Sequence, residues 1–438
     1  MLKRKIQLTL KEYFSSKKDK ILIIDGARQI GKSYIVRHEG KASFPNFVEV
    51  NMIDDRDGAR IFADVRGVED FYVRLSSFAG RKLGTKDNTL VFLDEIQAYP
   101  EMLTLLKFLC DDGRFSYIAS GSLLGVTLDK TLSVPGGRIE VQHMYPLDFE
   151  EFLWASGVGD DVILYMKEHF EKHESLSEGL HARMMELFKT YLLVGGLPQA
   201  VNEYMASQNI YRVRKVHDEI FNLYKEDASQ YSLSERLKIR RVYDLKPSNM
   251  ENRKKRLHFN DIEEKKGKAA RDYEDEIEYL VSAGVALEVR AISNPVFPLI
   301  ASARKNLLKL YLNDVGLLSH ILFRTNVAAI KDDQLSVNLG SVYETVVATE
   351  LLAHGHPLYY YDNKKKGEVD FMIDDYDKLS ILPLEVKSGK DYSIHRALDR
   401  FVSNPEYQIK SAIVFSNDAS VAFNNSTLNL PIYYTMFL

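Results

Sequence analysis

The chain contains the stretch Gly26-Ala27-Arg28-Gln29-Ile30-Gly31-Lys32-Ser33, which matches the pattern GxxxxGK(S/T). Context decides whether such a match is real. Here a continuous apolar run over residues 21–24 precedes the loop, and a helical pattern over residues 32–37 follows it. A glycine loop between a strand and a helix turns backbone N–H groups inward around an anion, and the helix N-terminus adds a favourable dipole. The stretch therefore predicts a phosphate-binding loop.

Two side chains at the end of this loop have specific expected roles. Lys32 would neutralise the β- and γ-phosphates of ATP, and the Ser33 hydroxyl would coordinate Mg²⁺. ATP and Mg²⁺ are accordingly the predicted cofactors. The alternative is a chance glycine turn, but strand, loop, lysine-serine pair and helix stand in the order that phosphate binding needs.

Two further strand ends support the same site. The apolar run over residues 90–93 ends in Asp94 and Glu95. Asp94 is expected to hold the Mg²⁺ water shell, and Glu95 is expected to polarise the attacking water. The run over residues 117–119 leads into Ser120, whose hydroxyl would lie between these carboxylates and the γ-phosphate. A simple turn is the alternative for Ser120.

Arg138 is a candidate catalytic arginine. It could reach a γ-phosphate across a subunit or domain interface, in cis or in trans, and a homo-oligomer is therefore among the expected assemblies. The alternative is an ordinary arginine in a surface salt bridge.

Composition limits the class of protein. The chain has 438 residues, of which 45% are hydrophobic and 27% charged, with a net charge of −4. Such a chain can form two to four globular domains at roughly 100–200 residues each. The single cysteine, Cys110, excludes a disulfide framework. No apolar run approaches the roughly 20 residues of a membrane span, and residues 1–14 alternate charged and apolar residues, so we expect a cytoplasmic protein without a membrane partner.

Three blocks differ in their patterns. Residues 1–152 alternate buried strand runs with helical segments, which predicts a parallel α/β sheet. Residues 153–294 are mostly helical, and residues 295–438 mix a helix with strands as in a second α/β domain. A helix-then-strand pattern over residues 273–289 would suit the end of a winged helix-turn-helix.

A basic stretch over residues 236–271 stands out in the middle block. With Glu235, it holds thirteen lysines and arginines against six acids, in a protein whose total charge is negative. Clustered positive charge, as at residues 253–256 and 265–268, is typical of contacts with a nucleic-acid backbone, so DNA or RNA is a predicted partner. A solvated helix surface or a mobile loop is the alternative.

The last block carries a pattern of acids and a lysine. Asp370 and Glu385 are fifteen residues apart on two predicted strands, and Lys387 shares a strand face with Glu385. This is the pattern of PD-(D/E)xK phosphodiesterases, in which the two acids would hold Mg²⁺ and the lysine would steady the attacking water. Glu344, on the preceding helix, is the predicted fourth group. The alternative is a nuclease fold kept as a scaffold, with these acids as surface residues.

Several segments together resemble a known group of proteins. They are GARQIGKS at 26–33, LDEIQ at 93–97, SGS at 120–122, GRIEVQHMYPLDFEEFL at 137–153, LVGGLP at 193–198 and KLYLNDVGLL at 309–318. The sequence resembles prokaryotic AAA-type ATPases whose C-terminal part is a domain of unknown function with a restriction-endonuclease-like core. The resemblance implies an α/β fold with an AAA-type P-loop domain, a helical or winged-helix middle region and a nuclease-like C-terminal domain.

ATP binding and hydrolysis are what this resemblance implies about activity, and it implies no biological task. Ser33 stands where many members carry threonine, and the basic stretch departs further from the pattern. Three hypotheses follow: an AAA-type ATPase acting on or near nucleic acid, an ATP-regulated metal-dependent nuclease, and a nucleotide-gated binding switch with an inert nuclease-like platform.

Overall fold

The contacts of the chain divide it into two compact units. The computed structural model describes residues 1–16, 20–122, 137–227, 237–244, 257, 259–263, 266–331, 339–363, 367–388, 396–424 and 426–438. The N-terminal unit comprises Lys3–Tyr145 with Ser282–Gly284, and the C-terminal unit comprises Met1–Leu2, Pro146–Val281 and Val285–Leu438.

The N-terminal unit is built on a five-stranded parallel sheet. Its strands are β1 (Ile21–Asp25), β2 (Asn46–Asn51), β3 (Thr89–Asp94), β4 (Ser116–Gly121) and β5 (Ile139–His143), in the order β2-β3-β4-β1-β5. Its helices are α1 (Ile6–Ser15), α2 (Lys32–Ser43), α3 (Met52–Asp57), α4 (Val68–Ala79) and α5 (Pro100–Asp112). Every residue of β3 is buried, as expected for an apolar strand covered on both faces. The predicted parallel α/β arrangement is confirmed.

The core of this unit explains why the apolar runs of the sequence become strands. Val91 and Leu93 of β3 pack with Ile23 of β1 and with Leu106 of α5 in one buried cluster. Because alternate residues of a strand face opposite sides, a run without polar residues is stable only where both sides are covered. Because these strands are parallel, the carboxyl ends of β1, β3 and β4 lie on the same side of the sheet.

The chain from Pro146 to Ser282 is mainly helical. Its helices are α6 (Phe149–Ala155), α7 (Asp160–Lys172), α8 (Glu178–Val194), α9 (Pro198–Ser207), α10 (Ile210–Asp227), a helix at residues 237–244, α11 (Phe259–Glu263) and α12 (Glu274–Ser282). In the C-terminal unit, the helical part continues into a mixed sheet and its surrounding helices.

That sheet has eight strands in the order β12-β13-β11-β10-β9-β8-β6-β7. The strands are β6 (Ala286–Ile292), β7 (Ala303–Leu312), β8 (Tyr359–Asn363), β9 (Gly367–Asp375), β10 (Ser380–Val386), β11 (Ala412–Ser416), β12 (Ala422–Asn424) and β13 (Thr427–Pro431). The accompanying helices are α13 (Val315–Phe323), α14 (Ala328–Lys331), α15 (Gly340–Ala353) and α16 (Arg396–Val402). The strand predicted at residues 285–289 is β6, which pairs with β7 and β8, and the winged-helix interpretation stays a prediction.

Asp314 links the segment LVGGLP at 193–198 to the segment KLYLNDVGLL at 309–318, of which it is part. Its carboxylate accepts hydrogen bonds from the N–H of Gly196 (2.6 Å) and from the N–H of Leu317 (2.9 Å), and it caps α13. Gly195 has φ +72°, and a Cβ there would lie 2.2 Å from the Asp314 carboxylate. Only glycine allows this approach.

No helix in the described part of the chain is long and apolar enough to cross a membrane.

Candidate functional site

The predicted phosphate-binding loop lies between the end of β1 and the start of α2. Gly26 has φ +141°, and a Cβ there would lie 2.2 Å from the carbonyl oxygen of Met144. Gly31 precedes α2 with φ +93°. Both positions therefore require glycine, and the exposed residue between them, Gln29, also has a positive φ of 64°. The loop that results leads directly into the first turn of α2, as phosphate binding needs.

Lys32 lies over this loop. Its ammonium donates hydrogen bonds to the carbonyl oxygens of Gly26 (2.8 Å) and Ala27 (2.7 Å). Burial lowers the pKa of the Lys32 ammonium, whereas the nearby carboxylates, Glu95 first among them, raise it. The lysine is thus held in the loop by carbonyl groups, with its charge supported by acids at the strand ends.

Asp94 is the buried carboxylate of the site. The hydroxyl of Ser120 donates a short hydrogen bond to it, and the hydroxyl of Ser33 also bonds to it. Burial raises the pKa of the Asp94 carboxyl, and these two hydrogen bonds oppose the increase. The parallel register that pairs Leu93 with Ala119 explains the contact, since it places the next residues of β3 and β4 side by side.

Glu95 follows with a left-handed backbone, φ 54° and ψ 44°. Its N–H donates to the Asp94 carboxylate (3.1 Å), and its own carboxylate accepts a hydrogen bond from Nε2 of Gln97 (2.5 Å). Gln97 also contacts Ser122: its Nε2 lies 3.2 Å from the Ser122 hydroxyl, and its Oε1 accepts from the Ser122 N–H at 3.3 Å. Gln97 was not predicted from the sequence, although an amide two residues after paired acids was the available signal.

The remaining loop residues are held from outside the loop. Ile30 is buried, and its carbonyl oxygen accepts a hydrogen bond from Nη1 of Arg4 at 3.1 Å. Nη2 of Arg4 donates to the carbonyl of Tyr145 at 2.7 Å. The positive charge of Arg28 contributes to lowering the pKa of Lys32. Arg4, which no motif signalled, therefore fixes the loop to the segment before α1.

Arg138 lies at the amino end of β1, whereas the phosphate-binding loop follows its carboxyl end. Its carbonyl accepts the N–H of Ile21, the first residue of β1, at 2.9 Å, and its guanidinium pairs with Asp111 at 2.7 Å. The phosphate-binding loop follows the last residue of β1, so the structure does not bring Arg138 to the loop of its own chain. A role in trans stays a prediction.

The C-terminal acids converge on the sheet of the second unit. Strands β9 and β10 are antiparallel neighbours, with Leu384 opposite Phe371. Asp370 accepts the N–H of Val386 at 2.9 Å, and the Lys387 ammonium donates to Glu385 at 2.7 Å. Two adjacent strands thus hold the predicted acids and lysine in one cluster.

Glu344, Glu368 and two residues of β7, none of the last three predicted from the sequence, complete this cluster. The Tyr311 hydroxyl donates to Glu344 at 2.8 Å, and the fully buried ammonium of Lys309 pairs with Glu368 at 2.6 Å. Burial lowers the pKa of Lys309, but Glu344, Glu368 and Asp370 together raise it above its ordinary value. The available signal was a lysine and a tyrosine alternating with leucines in the apolar strand β7.

The electrostatics of Glu385 follow from this environment. Burial raises the pKa of the Glu385 carboxyl, Lys387 lowers it, and Glu344 and Glu368 raise it further. Among the described residues, these acids do not form a group of three whose ligand atoms all lie within 4.8 Å of one another. Lys309 and Lys387 lie among these acids and balance part of their negative charge.

Three family models match the sequence. An AAA domain matches residues 18–153, the domain of unknown function DUF8612 matches residues 185–328, and the domain of unknown function DUF4143 matches residues 339–434. No curated protein matches the chain. The restriction-endonuclease-like class of the C-terminal domain stays a prediction, since the matching family has no assigned function.

Similar solved structures have low sequence identity. A Walker-type ATPase of Pyrococcus abyssi is 14% identical, with 73% of this chain and 95% of that chain covered and a TM-score of 0.43. The ORC1 protein of Aeropyrum pernix, solved in complex with DNA, is 15% identical, with 72% and 92% covered and a TM-score of 0.29. Cdc6p from Pyrobaculum aerophilum is 13% identical, with 75% and 93% covered and a TM-score of 0.27.

The family match and the geometry agree on the N-terminal unit. The AAA domain model spans the loop, the acid-bearing end of β3 and the serine at the end of β4. An ATPase of this class uses ATP with a divalent metal ion. Residues 18–153 form an AAA-type P-loop ATPase domain, and the enzyme activity of the chain is that of an ATPase.

Proposed function

We propose that this chain hydrolyses ATP with Mg²⁺ at the site formed by Lys32, Ser33, Asp94 and Glu95. The observation that carries the proposal is the convergence of the Ser33 and Ser120 hydroxyls on the buried Asp94 carboxylate. Hydroxyl and carboxylate oxygens at the edge of a phosphate-binding loop are the donor set that Mg²⁺ prefers. When bound, Mg²⁺ supplies positive charge beside the β- and γ-phosphates.

The residues of the chain divide the work of hydrolysis. The loop N–H groups and the Lys32 ammonium hold the β- and γ-phosphates, so Lys32 exchanges its bonds to the Gly26 and Ala27 carbonyls for bonds to phosphate oxygens. Glu95 takes the proton of the attacking water as the water oxygen bonds to the γ-phosphorus, and the bond from that phosphorus to the β–γ bridging oxygen breaks, which releases ADP and phosphate. Ser120 fixes the rotamer of Asp94 through its hydrogen bond.

Steady-state hydrolysis by Glu95→Gln tests this proposal. The amide cannot accept the proton, so we expect ATP binding close to that of the wild type and turnover reduced by two orders of magnitude or more, about the contribution of a positioned general base. Glu101→Gln, an exposed acid in the first turn of α5, is the matched control and should turn over normally. Normal hydrolysis by Glu95→Gln would remove Glu95 from its role as base.

The basic stretch at residues 236–271 is the proposed nucleic-acid contact of this ATPase. Its described part is partly paired with acids: Lys238 lies 3.4 Å from Glu276, and Lys268 lies 3.3 Å from Glu263. The cluster at residues 253–256, and Lys265 of the second cluster, lie outside the described residues. The proposal therefore rests on the local charge excess in the sequence.

A second candidate function is metal-dependent cleavage of nucleic acid by the C-terminal unit. The observation that favours it is the placement of Asp370 and Glu385 on adjacent strands, with Lys387 bonded to Glu385. In this candidate the two acids would hold Mg²⁺ and Lys387 would steady the attacking water. Divalent-metal-dependent cleavage that is lost in Lys387→Ala would support it.

Melting of the full chain separates a preserved metal site from a preserved catalyst. A metal held by Asp370 and Glu385 should raise the melting temperature relative to EDTA, because it binds the folded state, and Asp370→Asn should erase the increase. Nucleotide is left out, so that the phosphate-binding loop does not contribute. Identical melting with Mg²⁺, Mn²⁺ and EDTA would mean that these acids are a scaffold.

The third hypothesis, a nucleotide-gated switch, differs from the first in turnover alone. Steady hydrolysis separates the two.

A homo-oligomer in which Arg138 reaches the site of a neighbouring subunit would give an Arg138→Ala variant that loses turnover without losing ATP binding.

A further inference from the structure

Asp148, Glu350 and His354 meet in the C-terminal unit, and none of the three belongs to the acid and lysine cluster. Asp148 precedes α6, Glu350 lies in the last turn of α15, and His354 directly follows that helix. Each offers one ligand atom, and these three atoms all lie within 4.8 Å of one another. Residues 206 positions apart in the sequence thus form one compact set of oxygen and nitrogen donors.

Backbone groups fix both carboxylates in this set. One oxygen of Glu350 accepts the N–H of Phe149 at 2.7 Å, and one oxygen of Asp148 accepts the N–H of Glu151 at 2.9 Å. The second oxygen of each acid faces the imidazole of His354. Hydrogen bonds of this kind orient metal ligands in proteins and fix the direction of their lone pairs.

The spacing of the donors is that of an ion site. Nε2 of His354 lies 3.6 Å from Oδ2 of Asp148 and 4.0 Å from Oε2 of Glu350. Both separations exceed a hydrogen bond, which is about 2.7–3.2 Å. Zinc bonds of about 2.0–2.1 Å in a tetrahedron place donors roughly 3.4 Å apart, so a small closure of this set would complete the coordination.

The side chains are also buried, with exposed fractions of 5% for Asp148, 1% for Glu350 and 13% for His354. Two carboxylates close together in the interior favour a bound cation between them. We propose that Asp148, Glu350 and His354 hold a divalent transition-metal ion, with zinc as the best fit, which ties the start of α6 to the end of α15.

Cobalt titration of the full chain tests this site. The protein is stripped of metal with a chelator, dialysed, and titrated with Co²⁺ without nucleotide, following the visible absorption of Co²⁺ bound to nitrogen and oxygen ligands. We expect one saturable site with such absorption, displacement of Co²⁺ by Zn²⁺, and a higher melting temperature with Zn²⁺ than with EDTA. Glu350→Gln and His354→Gln should each weaken the binding at least about tenfold.

Two variants serve as controls. His356→Gln changes a neighbouring histidine outside the set, and Glu101→Gln changes an exposed acid of α5, so both should titrate like the wild type. Absence of a saturable Co²⁺ site in the wild type would overturn the proposal. Unchanged binding in both Glu350→Gln and His354→Gln would also overturn it. Loss of the Co²⁺ absorption in Asp370→Asn would overturn it as well, because the ion would then lie in the acid and lysine cluster. The wild-type titration decides the matter even if a variant fails to fold.

Discussion

The side-chain amide of Gln97 donates a hydrogen bond of 2.5 Å to the carboxylate of Glu95, the residue proposed to activate water. Through the same side chain, Glu95 is connected to Ser122, directly after β4. The side chain of the proposed base is therefore restrained by a hydrogen bond. Its rotamer depends on a residue that also contacts the neighbouring strand end.

Gln97→Ala should lower the turnover of ATP about tenfold with little change in ATP binding. A hydrogen bond to a charged group contributes about 1.5–3 kcal/mol, and its loss frees the Glu95 carboxylate to leave the position for proton transfer. Turnover and nucleotide binding are measured separately on the same preparation. Gln199→Ala, an exposed glutamine in α9, should leave both unchanged. Equal turnover in the wild type and Gln97→Ala would show that this contact does not position Glu95.

Lys32→Ala should abolish tight ATP binding. The substitution removes the buried ammonium that is proposed to bind the β- and γ-phosphates, and it leaves the Gly26 and Ala27 carbonyls without their donor. Binding is measured with a fluorescent ATP analogue in the presence of Mg²⁺. Lys41→Ala, an exposed lysine in the last turn of the same helix, is the control and should bind normally.

Lys309→Met should destabilise the C-terminal unit by about 3–5 kcal/mol. Its ammonium is fully buried, pairs with Glu368 and is close enough to the buried Glu344 to feel its charge, so its removal leaves the acids of this cluster without their partner charge. Urea unfolding followed by tyrosine fluorescence measures the change. The pair of Lys378 and Asp375 is exposed by comparison, with Lys378 half open to solvent, and Lys378→Ala should shift stability by less than about 0.5 kcal/mol. A small effect of Lys309→Met would contradict the assigned charge of that lysine.

Asp314→Asn should change how stability depends on pH. Burial raises the pKa of Asp314 from 3.8 to about 6, against the hydrogen bonds from Gly196 and Leu317. Since the folded state binds this proton more tightly than the unfolded state, its contribution to stability is complete below pH 3.8 and is lost as pH rises to about 6. The loss amounts to about 3 kcal/mol at most.

The measurement is a set of urea unfolding curves between pH 4 and pH 7 for the wild type and Asp314→Asn. The difference in unfolding free energy between the two proteins should change over that window, in favour of the variant as pH rises. A difference that is constant with pH would mean that Asp314 does not titrate in it.

Replacing Arg253, Lys254, Lys255 and Arg256 together should weaken nucleic-acid binding and make it less sensitive to salt. Each phosphate contact releases counterions, so log affinity falls with log salt concentration, and fewer contacts give a shallower slope. Binding of a labelled DNA and a labelled RNA is measured over a range of salt concentrations. Affinity that responds neither to salt nor to the substitutions would return these residues to the solvated-surface interpretation.

The sequence was sufficient for those parts of the site that follow from local order along the chain. Asp94 and Ser120 stand at the ends of apolar runs, and parallel strands end at one edge, so their meeting with Ser33 was predictable. Contacts made by side chains from distant positions in the sequence were not predictable. Arg4 reaches Ile30 across 26 positions, and no spacing rule connects them.

The C-terminal cluster shows the same limit in another form. The pattern of Asp370, Glu385 and Lys387 was visible on neighbouring strands, whereas Lys309 enters from β7, two strands beyond β8 in the sheet. Strand order is set by tertiary packing, which no local pattern encodes. For Arg138, the residue type was visible in the sequence but its position relative to the strand ends was not, and the structure places it at the amino end of β1.

The two hydrogen bonds of Arg4 couple the segment before α1 to the phosphate-binding loop. The guanidinium holds the Ile30 carbonyl of the loop and the Tyr145 carbonyl after β5 at the same time. Force or a bound partner that displaces the segment before α1 would therefore loosen the loop from one side, without touching any residue of the GxxxxGK(S/T) pattern. Displacement of this segment would thus act on the loop directly through Arg4, and on α2 through the hydrogen bond from Gln7 to Glu39.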